Sequence, residues 1–148
     1  MSSLWLLSAS EDSILATIDS QPEFQVAARL AFKDAGVSPN RTRVISGKVI
    51  DVMSNMADAA YDLVLLDADR NELETQLMQA SRLLRPGGVV VVAHALWRDR
   101  VPDPAMRDDA TSAYRDILRF FSDHDDFIAA LSPVGDGLLM ASKRVTSS

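Results

Sequence analysis

A chain of 148 residues has the length of one domain and can bury roughly 70% of its unfolded surface, enough for one core. Its net charge of -6 disfavours nucleic acid or an anionic membrane as partner, because phosphate binding needs a basic face. The absence of cysteine excludes a disulfide framework, a thiol nucleophile and a thiolate metal site.

In chain order, residues 3–9 read as the end of a helix or a short apolar segment. Leu4-Trp5-Leu6-Leu7 lacks the basic flank and full apolar region of a signal peptide. No apolar run is long enough for a bilayer, so the expected address is the cytoplasm. Ile14 to Ile18 reads as a strand ending at Asp19. Ser20 is the expected N-cap of the next helix, with Glu23 closing a capping box and Pro22 in the first turn. Phe24, Ala27, Ala28 and Ala31 are its expected apolar face, and Gly36 its stop.

Arg43 to Ser46 is the second predicted strand, with Gly47 at its end, and Val49 to Met56 gives one or two helical turns. Leu63 to Leu66 is the third strand. Asn71 is placed to cap a helix running to Leu84, with Leu73, Leu77, Ala80 and Leu84 on one face. Pro86-Gly87-Gly88 stops it, and Val89 to Val92 is the fourth strand. Both apolar runs read as strands buried on two faces, joined as a strand–helix–parallel strand unit. Residues 98–108 read as a loop, and about Asp109 to Asp123 as a helix. Phe127 to Leu131 and Leu138 to Lys143 are strands joined through Gly135-Asp136-Gly137, a tight hairpin turn. The order predicts an α/β fold with a mostly parallel sheet and one antiparallel strand at the end. Met53, Met56, Met78 and Met106 are expected in core or edge packing.

Chemistry is sought first at the carboxyl ends of the strands, which face the ligand crevice in open α/β sheets. Asp19 there can take ribose hydroxyls, since one carboxylate accepts two hydrogen bonds, or it can assist the next helix N-terminus. Asp67 and Asp69 close the third strand as a pair of acids able to bind a metal, a hydroxyl or a cation. Asp67 can equally be a helix cap. His94, after the fourth strand, can act as a base near neutral pH, bind a metal through one nitrogen, or be structural. Trp97 walls a pocket or simply packs. His124, within Asp123-His124-Asp125-Asp126, reads as solvated charge.

The stretch "YDLVLLDADR", then "LLRPGGVVVV", Leu96-Trp97 and a late "LSPVGDGLLMASKR", resembles the small S-adenosylmethionine-dependent O-methyltransferases of the catechol and caffeoyl-CoA type. The similarity runs from Leu4 to Arg144. It implies a Rossmann-like methyltransferase sheet and methyl transfer to a hydroxyl of a small-molecule acceptor. It assigns Asp19 to the cofactor ribose and Gly47 to the loop against the adenine. Asp67 would lie beside the methyl donor and ligate a divalent metal such as Mg²⁺, which orients the acceptor hydroxyl.

Several positions depart from the family pattern. Lys48-Val49 replaces the usual Asp-Ala after Gly47, and Lys48 reads as a solvated lysine. Arg70 stands where the family often has Lys, and an arginine cannot serve as a base. Ala93-His94 stands where the family usually has Asp-Asn, which puts metal dependence in doubt: Ala93 has no ligand atom, and Mg²⁺ prefers oxygens to an imidazole.

No glycine precedes Gly36, whereas the family opens on a strand and a Gly-rich turn holding the methionine part of the cofactor. The expectation is one N-terminally incomplete domain over residues 1–148, arising by truncation, a misplaced start or degeneration. Weak S-adenosylmethionine binding follows from that expectation. Self-association or marginal stability follows too, because in the family the absent strand lies mid-sheet and its loss leaves unpaired edges. The alternative function is a non-catalytic α/β domain retained for binding or assembly.

Overall fold

The computed structural model describes residues 2–67 and 72–145. The elements are α1 (Ser2–Ser8), β1 (Leu15–Asp19), α2 (Pro22–Asp34), β2 (Thr42–Ser46), α3 (Val49–Ser54), β3 (Tyr61–Leu66), α4 (Leu73–Leu83), β4 (Leu84–Ala93), α5 (Asp109–Asp123), β5 (Phe127–Ser132) and β6 (Leu138–Lys143). They form two compact units, Met1–Asn55 and Met56–Ser148. Their strands fall into two sheets, β1–β2 and β3–β4–β6–β5. No helix among the described residues is long and apolar enough to cross a membrane.

In the first unit β1 and β2 pair in parallel, Leu15 opposite Thr42 and Asp19 opposite Ser46. Both carboxyl ends therefore finish side by side. The start of α2 differs from expectation. Its N-cap is Gln21, with no side-chain cap. The carboxylate of Asp19 takes the Gln21 N–H instead, at 2.8 Å, so a capping box from Ser20 has no role. The helix buries Gln25 and Phe32 and leaves Phe24 exposed, because the buried stripe is rotated from the predicted one. Its C-terminus closes through Gly36 N–H to Lys33 O and Val37 N–H to Phe32 O, the paired turn that satisfies two terminal carbonyls. The Arg41 guanidinium donates to Leu7 O, Ser10 O and Ser13 O, which fastens the end of α1 to the segment leading into β1.

In the second unit β3 and β4 are parallel, and β6 runs against both β4 and β5. One strand thus opposes the other three, as the element order predicts. β4 starts at Leu84, ahead of the expected Val89. The Pro86-Gly87-Gly88 segment is accommodated by a register shift, Tyr61 pairing with Leu84 and Leu63 with Val89. This places a bulge where a helix stop was expected. Helix α4 keeps its predicted face, with Leu73, Leu77 and Ala80 buried. Asn71, its expected cap, lies outside the described residues, and the N-cap is Glu72.

The sheet is buried on one face rather than two. Val90, Val92, Leu139 and Ala141 are buried, while Val89 and Val91 are half-buried and Leu63 is exposed. Helices α4 and α5 touch each other as well as the strands, so both lie on one side of the sheet. Met53 is buried as expected, but Met78 and Met106 are exposed, since neither falls on a buried stripe.

Helix α5 begins at an Asp108 cap that accepts from Thr111 N at 3.2 Å and Thr111 Oγ1 at 2.7 Å. These bonds, the side-chain one foremost, hold the Asp108 carboxyl below its ordinary value of about 3.8. A carboxyl lower in the folded than in the unfolded chain stabilises fully above the unfolded value. That contribution is lost as pH falls through the folded value. Asp108→Ala should therefore lower the melting temperature near neutral pH, and the gap to the parent protein should close on acidification below about pH 4. Parallel thermal melts across that range check it; a gap that persists in acid contradicts it.

Candidate functional site

In the first unit the strand ends bring Asp19 and Gly47 together. Gly47 N–H donates to Asp19 O at 3.3 Å. The buried amide of Gln25 donates to the same carbonyl at 2.9 Å, so the backbone of Asp19 is braced from two sides. Its carboxylate, on a half-buried residue, accepts the Gln21 N–H through Oδ1. Gly47 has φ +147°, and a Cβ there would lie 2.9 Å from Val52 Cγ2. The turn thus needs glycine for both conformation and space. Lys48, exposed, is the N-cap residue of α3.

In the second unit the parallel pairing of Leu66 with Val92 sets Asp67 beside the segment that follows β4. His94 Nε2 lies 3.4 Å from Asp67 Oδ1. His94 Nδ1 lies 2.9 Å from Asp136 Oδ2. Asp136 Oδ1 also accepts the Arg98 N–H. The backbone continues the β4–β6 ladder beyond its last strand pair, with Ala95 N–H to Gly137 O and Leu96 N–H to Asp136 O. His94, Trp97, Arg98 and Asp99 all have positive φ, between 46° and 60°. Such a conformation costs a non-glycine residue about 1–2 kcal/mol, so this turn exists only because its polar groups are tied down.

Among the residues singled out in the sequence, Asp67 and His94 meet, and Asp19 and Gly47 meet. Asp69 and Arg70 lie outside the described residues. Trp97 stacks on Tyr114 with centroids 5.2 Å apart, and the Arg98 guanidinium lies over the Trp97 ring, 5.5 Å from its centroid; packing accounts for the ring. His124 stacks on Phe120, with Nδ1 2.8 Å from Phe120 O, at the end of α5. Asp136 was read only as part of a turn. Its two glycine neighbours account for the hairpin, and nothing local signals a carboxylate turned toward a histidine 42 positions away.

The metal expectation can be tested on the donor set. Ala93 offers no ligand, and Asp136 is engaged by His94 and Arg98. Among the described residues no group of three His, Cys, Asp or Glu could hold a metal ion. The one carboxylate and one imidazole that the described residues leave there do not fit a hard cation. A ribose diol does fit Asp19, which stands half-buried at a strand end with its backbone fixed.

Comparison with known proteins gives a consistent picture. A family model described as "O-methyltransferase" matches residues 3–144. A Mycobacterium ulcerans protein named provisionally as an O-methyltransferase is 45% identical over 142 residues, covering 95% of this chain and 63% of that protein. A Mycobacterium avium protein of the same name is 44% identical, with 95% and 64% covered. The chain thus spans less than two thirds of these relatives. Among solved structures, a Corynebacterium glutamicum protein superposes with a TM-score of 0.91 at 32% identity, covering 98% of this chain and 68% of that one. TomG of Streptomyces achromogenes, an O-methyltransferase of tomaymycin synthesis solved with S-adenosylmethionine, gives 0.84 at 26% identity, with 97% and 68% covered.

Gly47→Ala should destabilise the protein by about 1–3 kcal/mol, the usual cost of forcing a side chain into such a backbone. Chemical denaturation of the two proteins measures it. A change within about 0.5 kcal/mol, the scale of ordinary surface substitutions, would show that the turn relaxes freely.

Proposed function

The chain belongs to the O-methyltransferase family, and from that premise we propose that it takes part in S-adenosylmethionine-dependent methyl transfer to a hydroxyl of a small-molecule acceptor. The observation that carries the reading is the pairing of Asp67 with His94 where β3 and β4 end, the edge at which open α/β sheets do their chemistry. One family model spans nearly the whole chain, which supports reading both units as parts of one domain. The acidic charge supports a small acceptor over nucleic acid, and the lack of cysteine is in keeping with a cytoplasmic address.

Each residue has a definite task in this reading. Asp19 accepts hydrogen bonds from the ribose hydroxyls, and Gly47 lets the backbone approach the adenine side. Bound S-adenosylmethionine supplies an electrophilic methyl group on a sulfonium. Asp67, at the end of β3, would orient the acceptor hydroxyl. His94 Nε2 would take the hydroxyl proton as the oxygen accepts the methyl group and the donor leaves as its neutral thioether. No step is assigned to a metal, because the donor set among the described residues does not fit one.

Calorimetric titration of S-adenosylhomocysteine should show binding that Asp19→Ala weakens about tenfold or more, the worth of charge-assisted hydrogen bonds to a diol. Unchanged affinity would remove Asp19 from the site. With a panel of phenolic acceptors, release of S-adenosylhomocysteine should persist in EDTA and fall about 10²-fold or more in His94→Ala. Abolition by EDTA with recovery on adding Mg²⁺ would overturn the metal-free reading. Cofactor binding without turnover of any acceptor would favour the alternative, a domain kept for binding, toward which the loss of donors at Ala93 already leans.

A further inference from the structure

We propose that Asp136 is a positioning residue that fixes the tautomer and the ring orientation of His94, keeping the lone pair on Nε2 toward Asp67. A carboxylate only accepts hydrogen bonds when ionised. Oδ2, 2.9 Å from Nδ1, is the nearer of the two carboxylates that face the ring, and it draws the single proton of neutral His94 to Nδ1. Nε2, 3.4 Å from Asp67 Oδ1, is left as the basic nitrogen. The second oxygen makes the arrangement hard to escape. Oδ1 receives the Arg98 N–H, and Leu96 N–H donates to the Asp136 carbonyl. The first contact holds the carboxylate, and the second holds the backbone that carries it. Gly137 adds to this: a Cβ there would lie 2.6 Å from Leu96 Cγ, so the hairpin can approach the post-β4 turn this closely only through glycine. The logic is that of a base oriented by a second acid, with the acid never taking the proton itself.

The assignment predicts the result of one substitution in detail. In Asp136→Asn the side chain has one acceptor and one donor end. The Arg98 N–H is a permanent donor and claims the oxygen. The amide NH₂ then faces His94 Nδ1 and forces it to become an acceptor. The ring proton moves to Nε2, and the nitrogen facing Asp67 becomes a donor.

The chain has two histidines, so ¹⁵N-resolved spectra of the whole protein, recorded on the alkaline side of the histidine titration, read both rings at once. His124, whose Nδ1 faces the Phe120 carbonyl, serves as the internal reference. The expected result is a protonated Nδ1 on His94 in the parent protein, inversion to a protonated Nε2 in Asp136→Asn, and an unchanged His124. A parent His94 carrying its proton on Nε2, or a tautomer indifferent to Asp136→Asn, would overturn the proposal. Its consequence for turnover rests on the reading of His94 as proton acceptor. There kcat should fall about 10²-fold or more with KM little changed. Inversion of the tautomer with undiminished kcat would overturn the role of His94 as base and leave the positioning by Asp136 standing, so the two ideas fail separately.

Discussion

The second unit depends on the Asp136 carboxylate holding the turn after β4. Four residues of that turn, His94, Trp97, Arg98 and Asp99, lie in the left-handed region. At about 1–2 kcal/mol each, their combined cost is comparable to the total stability of a small domain, about 5–15 kcal/mol. The turn is retained because its polar groups are met from one place. Asp136 takes His94 Nδ1 and Arg98 N, and the carbonyls of Asp136 and Gly137 take Leu96 N and Ala95 N. Trp97 adds its stacking on Tyr114 of α5. Strain stored in such a turn is useful where a side chain must be held in one orientation, and the side chain held here is the imidazole beside Asp67.

The irregular segments of both units are organised by the same device, a cation that collects backbone carbonyls. Arg41 receives three between α1 and β1. Arg115 of α5 donates to Arg100 O, Val101 O, Asp103 O and Met106 O, and so binds the Pro-containing loop to its following helix. Lys143 of β6 donates to Ser81 O and Leu84 O at the end of α4. Each site satisfies acceptors that a helix end or a loop leaves unpaired. A guanidinium suits the wider clusters, because its planar fork reaches several oxygens at once.

Local pattern told most about this chain where a structural decision is local. The bounds of α5 and β6 follow from periodicity and flanking turns. Asp19, Gly47, Asp67 and His94 are strand-end residues and were placed as such. Decisions that depend on competition were harder to read. Ser20 is a good cap in isolation, but the helix opens at Pro22 and Gln21 takes the N-cap position. Leu84 continues the buried stripe of α4, yet it opens β4, because a bulge absorbs Pro86-Gly87-Gly88 within the strand. The apolar runs of β3 and β4 read as strands with two covered faces. Alternating burial shows one, since α4 and α5 lie on the same side. Asp136 was illegible as a site residue for the simplest reason: its partner is fixed by tertiary pairing of β4 with β6, and no short motif carries that distance.

The pair Ala93-His94 changes what the end of β4 can contribute. Two oxygen-bearing side chains there would suit a divalent cation, whose positive charge draws an acceptor hydroxyl toward ionisation. An imidazole works differently. It takes the proton itself, gains one charge and can return it to solvent, provided its free nitrogen faces the reacting oxygen. That proviso is demanding, because a neutral imidazole has two tautomers and only one is useful. An unsupported histidine at a strand end would sample both. The carboxylate of Asp136 removes the choice, and the carboxylate of Asp67 stands on the side where the base is left available. The site is thus chemically self-consistent around proton transfer, in a way that a single carboxylate with an unconstrained imidazole would not be.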